Sequence, residues 1–278
     1  LAASIGEGTR VLIVGAGLIG LKCAEGIAAR VKSVTVVDLA PRVLSSILTE
    51  DAAETVRAHI ESAADVEFHL GTSVKEFRGD TAVLDDGEEI GFDVLVLAVG
   101  VRANTSLLAA AGAKTERGIS VDRGMRTTLP DIYAAGDAVQ GYDSSVGTER
   151  VLALLPSAYA EGECAGVNAS GGDMTLDCEI PMNSIGFFGL HMVTAGAYDG
   201  EKTVVGSGES MRTFFIKDGT LRGYIILGDV AGAGIYTSLI REKTPLETLD
   251  LDSLFREPTL AAFPKSYRKK ILAAEEEA

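Results

Sequence analysis

The chain of 278 residues has no tryptophan, only seven prolines, three histidines and three cysteines. Cys23, Cys164 and Cys178 stand far apart and form no Cys-x-x-Cys pair, which excludes a disulfide framework or a vicinal redox thiol pair within this stretch. An odd number of widely spaced cysteines suits a reducing, cytoplasmic compartment. His59, His69 and His191 are dispersed, so no metal site is expected from clustered imidazoles. No apolar run reaches the roughly 18 residues that cross a bilayer, and the first residues lack the basic start of a secretory signal. Cations are scarce too: 25 Lys and Arg stand against 40 Asp and Glu, a formal charge of −15. Without a basic stripe, neither nucleic acid nor a membrane is an expected partner.

What the chain does have is glycine, 32 residues, and apolar side chains, 46% of the total. That composition suits an α/β protein with many tight turns and enough core for two domains. The organising stretch is residues 10–38. Val11-Leu12-Ile13-Val14 reads as a buried strand, and Gly15-Ala16-Gly17-Leu18-Ile19-Gly20 fits GxGxxG. A helix follows, with Ile19, Cys23, Ile27 and Val31 at spacing four on its core face. A second strand, 34–37, ends in Asp38. Strand, turn, helix, strand and terminal acid are together the context a dinucleotide fingerprint requires. Gly15 permits the tight turn, Gly17 lets the backbone approach a pyrophosphate, and Gly20 lets the helix lie close on the sheet. Leu18 and Ile19 open the helix, where free N–H groups and the positive dipole end suit an anion. Asp38 can accept from both ribose hydroxyls and repels a 2′-phosphate, which favours NAD(H); Arg42, four residues on, weakens that preference. A glycine-rich turn that only packs tightly, and binds nothing, would use the same glycines.

Beyond Asp38, residues 39–46 read as a loop and 48–64 as a helix with Ala52, Val56 and Ile60 inward. Residues 66–70 form a strand and 73–92 a small antiparallel meander, with turns at Gly79-Asp80 and Asp85-Asp86-Gly87. The apolar run 93–99 reads as a third parallel strand buried on both faces, ending at Gly100. Gly15, Asp38 and Gly100 thus all fall at carboxyl ends of parallel strands, where such sheets bind ligands. Further on, 107–111 is a short helix and 118–121 a strand. Residues 132–135 read as a short apolar strand that turns at Gly136-Asp137, and 152–168 as a helix with Pro156 in its first turn. Residues 174–278 read as α+β, with strands at 184–188, 192–197, 202–205, 212–217 and 221–227, a helix at 230–242 and a solvated helical tail from 265.

The segments VLIVGAGLIG with its VVD, LVLAVGVRAN and TTLPDIYAAGD, in that order, resemble the pyridine nucleotide–disulfide oxidoreductases, flavoproteins that bind two dinucleotides. The branch resembled is that of the NADH oxidases, nitrite reductases and rubredoxin reductases, and NSIGFFGLHMVTAG at 183–196 is similar to the start of its C-terminal domain. The resemblance implies a glutathione-reductase-like fold with FAD and NAD(H) as cofactors. Residues 1–100 would be a Rossmann-type NAD(H) domain with the inserted meander, 101–173 the second half of a split FAD domain, and 174–278 an α+β interface domain. It also implies that the first FAD-binding half lies upstream of this sequence; the 132–135 strand, which needs neighbours on both sides, points the same way. Gly136-Asp137 resembles the pair whose aspartate holds the FAD ribityl chain. Leu155-Pro156 resembles the helix start that faces the flavin, where a positive dipole end suits the reduced, anionic ring. Departures from the pattern are Lys22, at the place of a usual glutamate near the nicotinamide, and Ala103 for proline in Arg102-Ala103-Asn104. No His-Pro motif of the disulfide reductases is present, and any redox cysteine would lie upstream.

These readings converge on an FAD-dependent NADH oxidoreductase, passing hydride from NADH to flavin and electrons on to oxygen, a disulfide or a small redox protein. The family resemblance implies a homodimer through the C-terminal domain. With half the flavin cradle absent, this piece alone is expected to be inactive. The alternative is an NAD-binding regulatory module without catalysis. A simple NAD dehydrogenase would need a catalytic His, Tyr or Lys near the nicotinamide, and no such constellation is visible.

Overall fold

The computed structural model describes residues 4–177, 179–265 and 268–269. Cys178 and most of the tail helix expected from residue 265 lie outside the described residues. Strands β1 (Arg10–Val14), β2 (Ser33–Asp38), β3 (Val66–Leu70) and β7 (Val94–Leu97) form a parallel sheet in the order β3-β2-β1-β7. Its alternating side chains feed two cores. Val11, Ile13, Val34 and Val36 pack with α1 (Leu18–Ile27) and α2 (Glu50–Ala63). Leu12 and Val37 face the other way, against Ala82, Leu84 and Phe92 of the meander β4 (Val74–Arg78), β5 (Thr81–Leu84) and β6 (Glu89–Gly91). With a layer on each face, the central strands read as continuous apolar runs.

Three expectations need correction. The 93–99 run is not buried on both faces: β7 is an edge strand, with Leu97 64% and Val99 73% exposed. Nor does α1 bury the Ile19–Cys23–Ile27–Val31 row. Its buried face is Gly20, Leu21, Ala24 and Ile27, with Ile19 exposed and Val31 beyond the helix. The cause is Gly20, which must meet the carbonyl of Gly15 and so sets the helix rotation. Residues 132–135 form no strand. Tyr133 makes an isolated bridge with Arg126, and Ile132 offers its carbonyl to the Thr127 amide. Two alanines bury little area, whereas Val139 seats fully in a core with Ile119, Val121 and Cys164. The strand therefore falls after the turn, as β9 (Val139–Asp143), between β8 (Ile119–Ser120) and β10 (Thr148–Arg150). Helices α3 (Ser106–Ala110) and α4 (Leu155–Ala169) complete this middle region.

The last region is a five-stranded antiparallel sheet in the order β11-β12-β15-β14-β13, made of Met182–Phe187, Leu190–Gly196, Thr220–Leu227, Ser210–Lys217 and Glu201–Ser207. One face, with Phe187, Met192, Phe215 and Ile225, joins the α1–α2 core. The other, with Val193, Phe214, Tyr224 and Ile226, packs on α5 (Ala233–Arg241) and α6 (Leu251–Arg256). Polar ties rim the first contact. The Phe188 N–H donates to Glu25 at 2.7 Å, the Tyr198 hydroxyl donates to the Ile47 carbonyl at 2.7 Å, and Lys202 pairs with Asp51 at 2.7 Å. Among the described residues, no helix is long and apolar enough to cross a membrane.

His59 on α2 closes the same rim. Its Nδ1 lies 2.8 Å from the Glu209 carboxylate and its Nε2 3.0 Å from the Phe188 carbonyl. Both partners are acceptors, so only the imidazolium, with two N–H donors, satisfies both. Burial, the largest influence, pulls its pKa down, but the Glu209 hydrogen bond, the Phe188 carbonyl and the Glu209 charge together raise it above the ordinary 6.5. A raised folded-state value adds stability that is complete below the unfolded value and fades as pH climbs through the folded one. Denaturant titrations should therefore show His59→Gln costing more stability at about pH 5.5 than at about pH 8.5. A cost independent of pH would dismiss the clamp.

Candidate functional site

The turn from β1 into α1 separates packing from ligand demands, glycine by glycine. Gly15 has φ +117°, and a Cβ there would lie 2.3 Å from the Ala98 carbonyl oxygen. A Cβ on Gly20 would lie 1.9 Å from the Gly15 carbonyl oxygen. Both are therefore required by the fold whether or not anything binds. Gly17 is different. Its φ of −82° suits any residue, and a Cβ built on it meets nothing within 4 Å. Among the described residues, nothing asks position 17 to lack a side chain. It is also the N-cap of α1, with no capping side chain, so the first amides, including those of Leu18 and Ile19, face outward without a side-chain acceptor.

Asp38 reaches this turn from the neighbouring strand. Its Oδ2 accepts the Ala16 N–H at 2.6 Å and its Oδ1 the Ala40 N–H at 2.7 Å. Each oxygen keeps lone-pair capacity for a hydroxyl. Arg42 does not reach toward it. The Arg42 guanidinium donates to the carbonyls of Leu48 and Ser45, at 3.4 and 3.3 Å, and braces its own loop. The doubt that Arg42 cast on a preference for NAD(H) is thereby weakened. Gly100, with φ +102°, follows β7 beside the same turn. Lys22 is engaged elsewhere: its ammonium pairs with Glu25, donates to the Gly186 carbonyl at 3.1 Å and sits 5.7 Å from the Phe187 ring centre. It ties α1 to β11.

Of the residues expected to meet flavin, Asp137 lines a second feature, an open cleft of about 1120 Å³ shared with Ile47, Val101, Arg102 and Leu154 among others; Gly136, Leu155 and Pro156 adjoin its lining residues in the chain. Asp137 is exposed at the turn that begins with Gly136. Leu155 and Pro156 open α4, which has no capping side chain either, and Leu155 is 85% exposed. Tyr159, Val101 and Leu107 are likewise bare. Three buried acids here escaped the sequence reading, Asp143 on β9, Glu161 on α4 and Glu179 before β11. Glu161 had a signal: it lies four residues after Ser157 and three before Cys164, on the helix face that turns inward. Among the described residues, no group of three or more His, Cys, Asp or Glu side chains could hold a metal ion.

A family model described as pyridine nucleotide-disulphide oxidoreductase matches residues 2–162. The chain belongs to this family. The epsilon subunit of an NADH-dependent phenylglyoxylate dehydrogenase from Aromatoleum evansii is 28% identical over 262 residues, covering 90% of this chain and 62% of that protein. An NADH oxidase from Streptococcus pneumoniae is 33% identical over 194 residues, covering 67% of this chain and 41% of that protein. Among solved structures, an FAD-dependent pyridine nucleotide-disulphide oxidoreductase from Desulfovibrio vulgaris matches with a TM-score of 0.78 at 26% identity, over 89% of this chain and 68% of that one. The chain thus spans less than two thirds of the length of these curated relatives. Family membership agrees with FAD and NAD(H) as the cofactors and with an α/β, Rossmann-type fold.

The glycine geometry yields a discriminating test. Gly17→Ala should keep the fold, at a cost under about 1 kcal/mol for a poorer N-cap, yet weaken NADH binding tenfold or more. Gly20→Ala, forced against a backbone carbonyl, should lower the melting temperature outright. Calorimetric binding together with thermal melts checks both; undiminished NADH affinity in Gly17→Ala would show that the turn only packs.

Proposed function

We propose that this chain supplies the NAD(H) domain, the second half of a split FAD domain and the C-terminal domain of an FAD-dependent NADH oxidoreductase, with boundaries near residues 100 and 173. The observation that carries the reading is the open space over Gly17 at an uncapped helix start, with the Asp38 carboxylate beside it. The helix amides suit a diphosphate, and Asp38 suits a ribose diol and disfavours a 2′-phosphate, so NADH is the expected donor. On the cleft side, Asp137 is placed to accept from a sugar hydroxyl, and the α4 N-terminus offers its positive end to anionic charge. When bound, FAD supplies the acceptor for the NADH hydride and the outlet for electrons. No side chain here needs to act as acid or base in that transfer; the chain's part is to hold both groups in register and exclude water.

The bare apolar side chains Leu97, Val99, Val101, Leu155 and Tyr159 support the docking of further protein over the cleft, the place of the other half of the FAD domain. Oxygen, a disulfide or a small redox protein remain the acceptor classes, and a cytoplasmic homodimer the expected setting. Purified full-length protein should be yellow and should bleach with NADH under anaerobic conditions. Colourless full-length material that FAD cannot reconstitute would defeat the proposal. Residues 1–278 alone should bind NADH but not retain stoichiometric flavin, which absorbance after gel filtration checks.

A further inference from the structure

Helix α4 buries Ser157, Glu161, Cys164 and Asn168. Two of these polar groups are neutral and find acceptors. The Ser157 hydroxyl donates to Glu179 at 2.7 Å, and the Asn168 amide donates to the carbonyls of Gly124 and Met174. Glu161 is a carboxylic acid at 4% exposure. Its Oε2 accepts the Gly136 N–H at 2.7 Å, and its Oε1 lies so close to Gly141 that a Cβ there would be 3.6 Å away. Gly136 has φ +81° and begins the turn that carries Asp137 into the cleft. The carboxyl group of Glu161 is thus the underside of the expected flavin-binding turn.

The two charges that act on it, Glu179 and Asp137, are both negative. Asp137 faces it from the turn, and Glu179, itself 9% exposed, from the segment before β11. On β9 the nearest acid, Asp143, is paired with Arg150. Burial pushes the Glu161 carboxyl up first; the Gly136 N–H pulls it down, and Glu179 and Asp137 push it up again, to about 7. A buried acid in that range responds to any further negative charge by binding a proton.

We propose that Glu161 is a proton-holding positioning residue of the flavin site, taking a proton from solvent when negative charge is added to the cleft above Asp137 and releasing it when that charge leaves. The proposal rests on the flavin reading given above. The proton belongs on Oε1, because Oε2 accepts the Gly136 N–H. Oε2 can keep that hydrogen bond in both states, so the charge changes while the turn stays in place. The balance is simple: hydride from NADH leaves the flavin ring one unit more negative, and one proton from water on the Glu161 carboxylate cancels that unit. Reoxidation by the acceptor returns the proton to water.

The test compares proton uptake during anaerobic electrochemical reduction of the full-length flavin-loaded protein, wild type against Glu161→Gln, in weakly buffered solution with a pH indicator. At about pH 7.5 the wild type should take up more protons per flavin than the variant, by up to about one; at about pH 5.5, where Glu161 is protonated in both redox states, the difference should vanish. Equal uptake at every pH overturns the proposal. If Glu161→Gln loses its flavin, infrared difference spectra of the wild type decide instead. A protonated-carboxyl band must grow on reduction at about pH 7.5, and its absence overturns the proposal equally. A wild-type full-length chain that binds no flavin strikes the flavin reading itself, an outcome distinct from both.

Discussion

The close approach of α1 to β1 governs the rest of the N-terminal α/β region. Gly20 sits where its missing Cβ would collide with the Gly15 carbonyl, and Gly15 sits where its own would collide with Ala98 of the neighbouring strand. Three backbones therefore converge on one point with no side chain between them. That convergence rotates α1 so that Leu21, Ala24 and Ile27 face the sheet, and it lifts Gly17 and the first helix amides clear of the protein. Asp38 then fastens the turn from the adjacent strand through the Ala16 and Ala40 amides. The same carboxylate proposed to read a ribose is thus a structural clasp of the turn.

The second half is organised by a different constraint, the burial of acids: Asp143 pairs with Arg150, whereas Glu161 and Glu179 meet neutral donors. Around the Gly136–Asp137 turn the chain places Glu161 and Glu179 in the interior and leaves Asp137 exposed. Hydrogen bonds from Gly136 and Ser157 satisfy part of their demand. Glu161, kept inside with a neutral donor, is held by the option of becoming neutral itself.

Much of this was legible in the sequence where periodicity and glycine spacing coincide. The β1–α1–β2 unit, α2, the meander and the antiparallel strands of the last sheet fall close to their expected ranges, because each combines a clear apolar pattern with a turn signal. The errors have a common origin: a neighbour's geometry overrode local pattern. Spacing alone put Ile19 inward along with Cys23, which does pack against the core, but a backbone contact set the helix rotation and left Ile19 exposed. The apolar 132–135 segment looked like a strand, but its alanines could not compete with Val139 for the core. Arg42 and Lys22 carry charges whose partners Ser45, Leu48 and Gly186 no spacing rule names, although the Lys22–Glu25 pair stands at helical i,i+3 spacing. Glu161 was missed because an acid within a helix of small residues, with Glu163 beside it, reads as solvated until the helix is packed.

The apolar layer between α1, α2 and the five-stranded sheet has no seam. Side chains from Val11 and Leu21 at one end to Met192 and Ile225 at the other lie in a single cluster, rimmed by Glu25, His59 and Tyr198. The nucleotide module is consequently not a portable cassette. A chimera that transplanted the β1–α2 segment onto a foreign C-terminal sheet would strip the outer flank of both helices, and a mismatch there would be felt directly beneath the glycine turn.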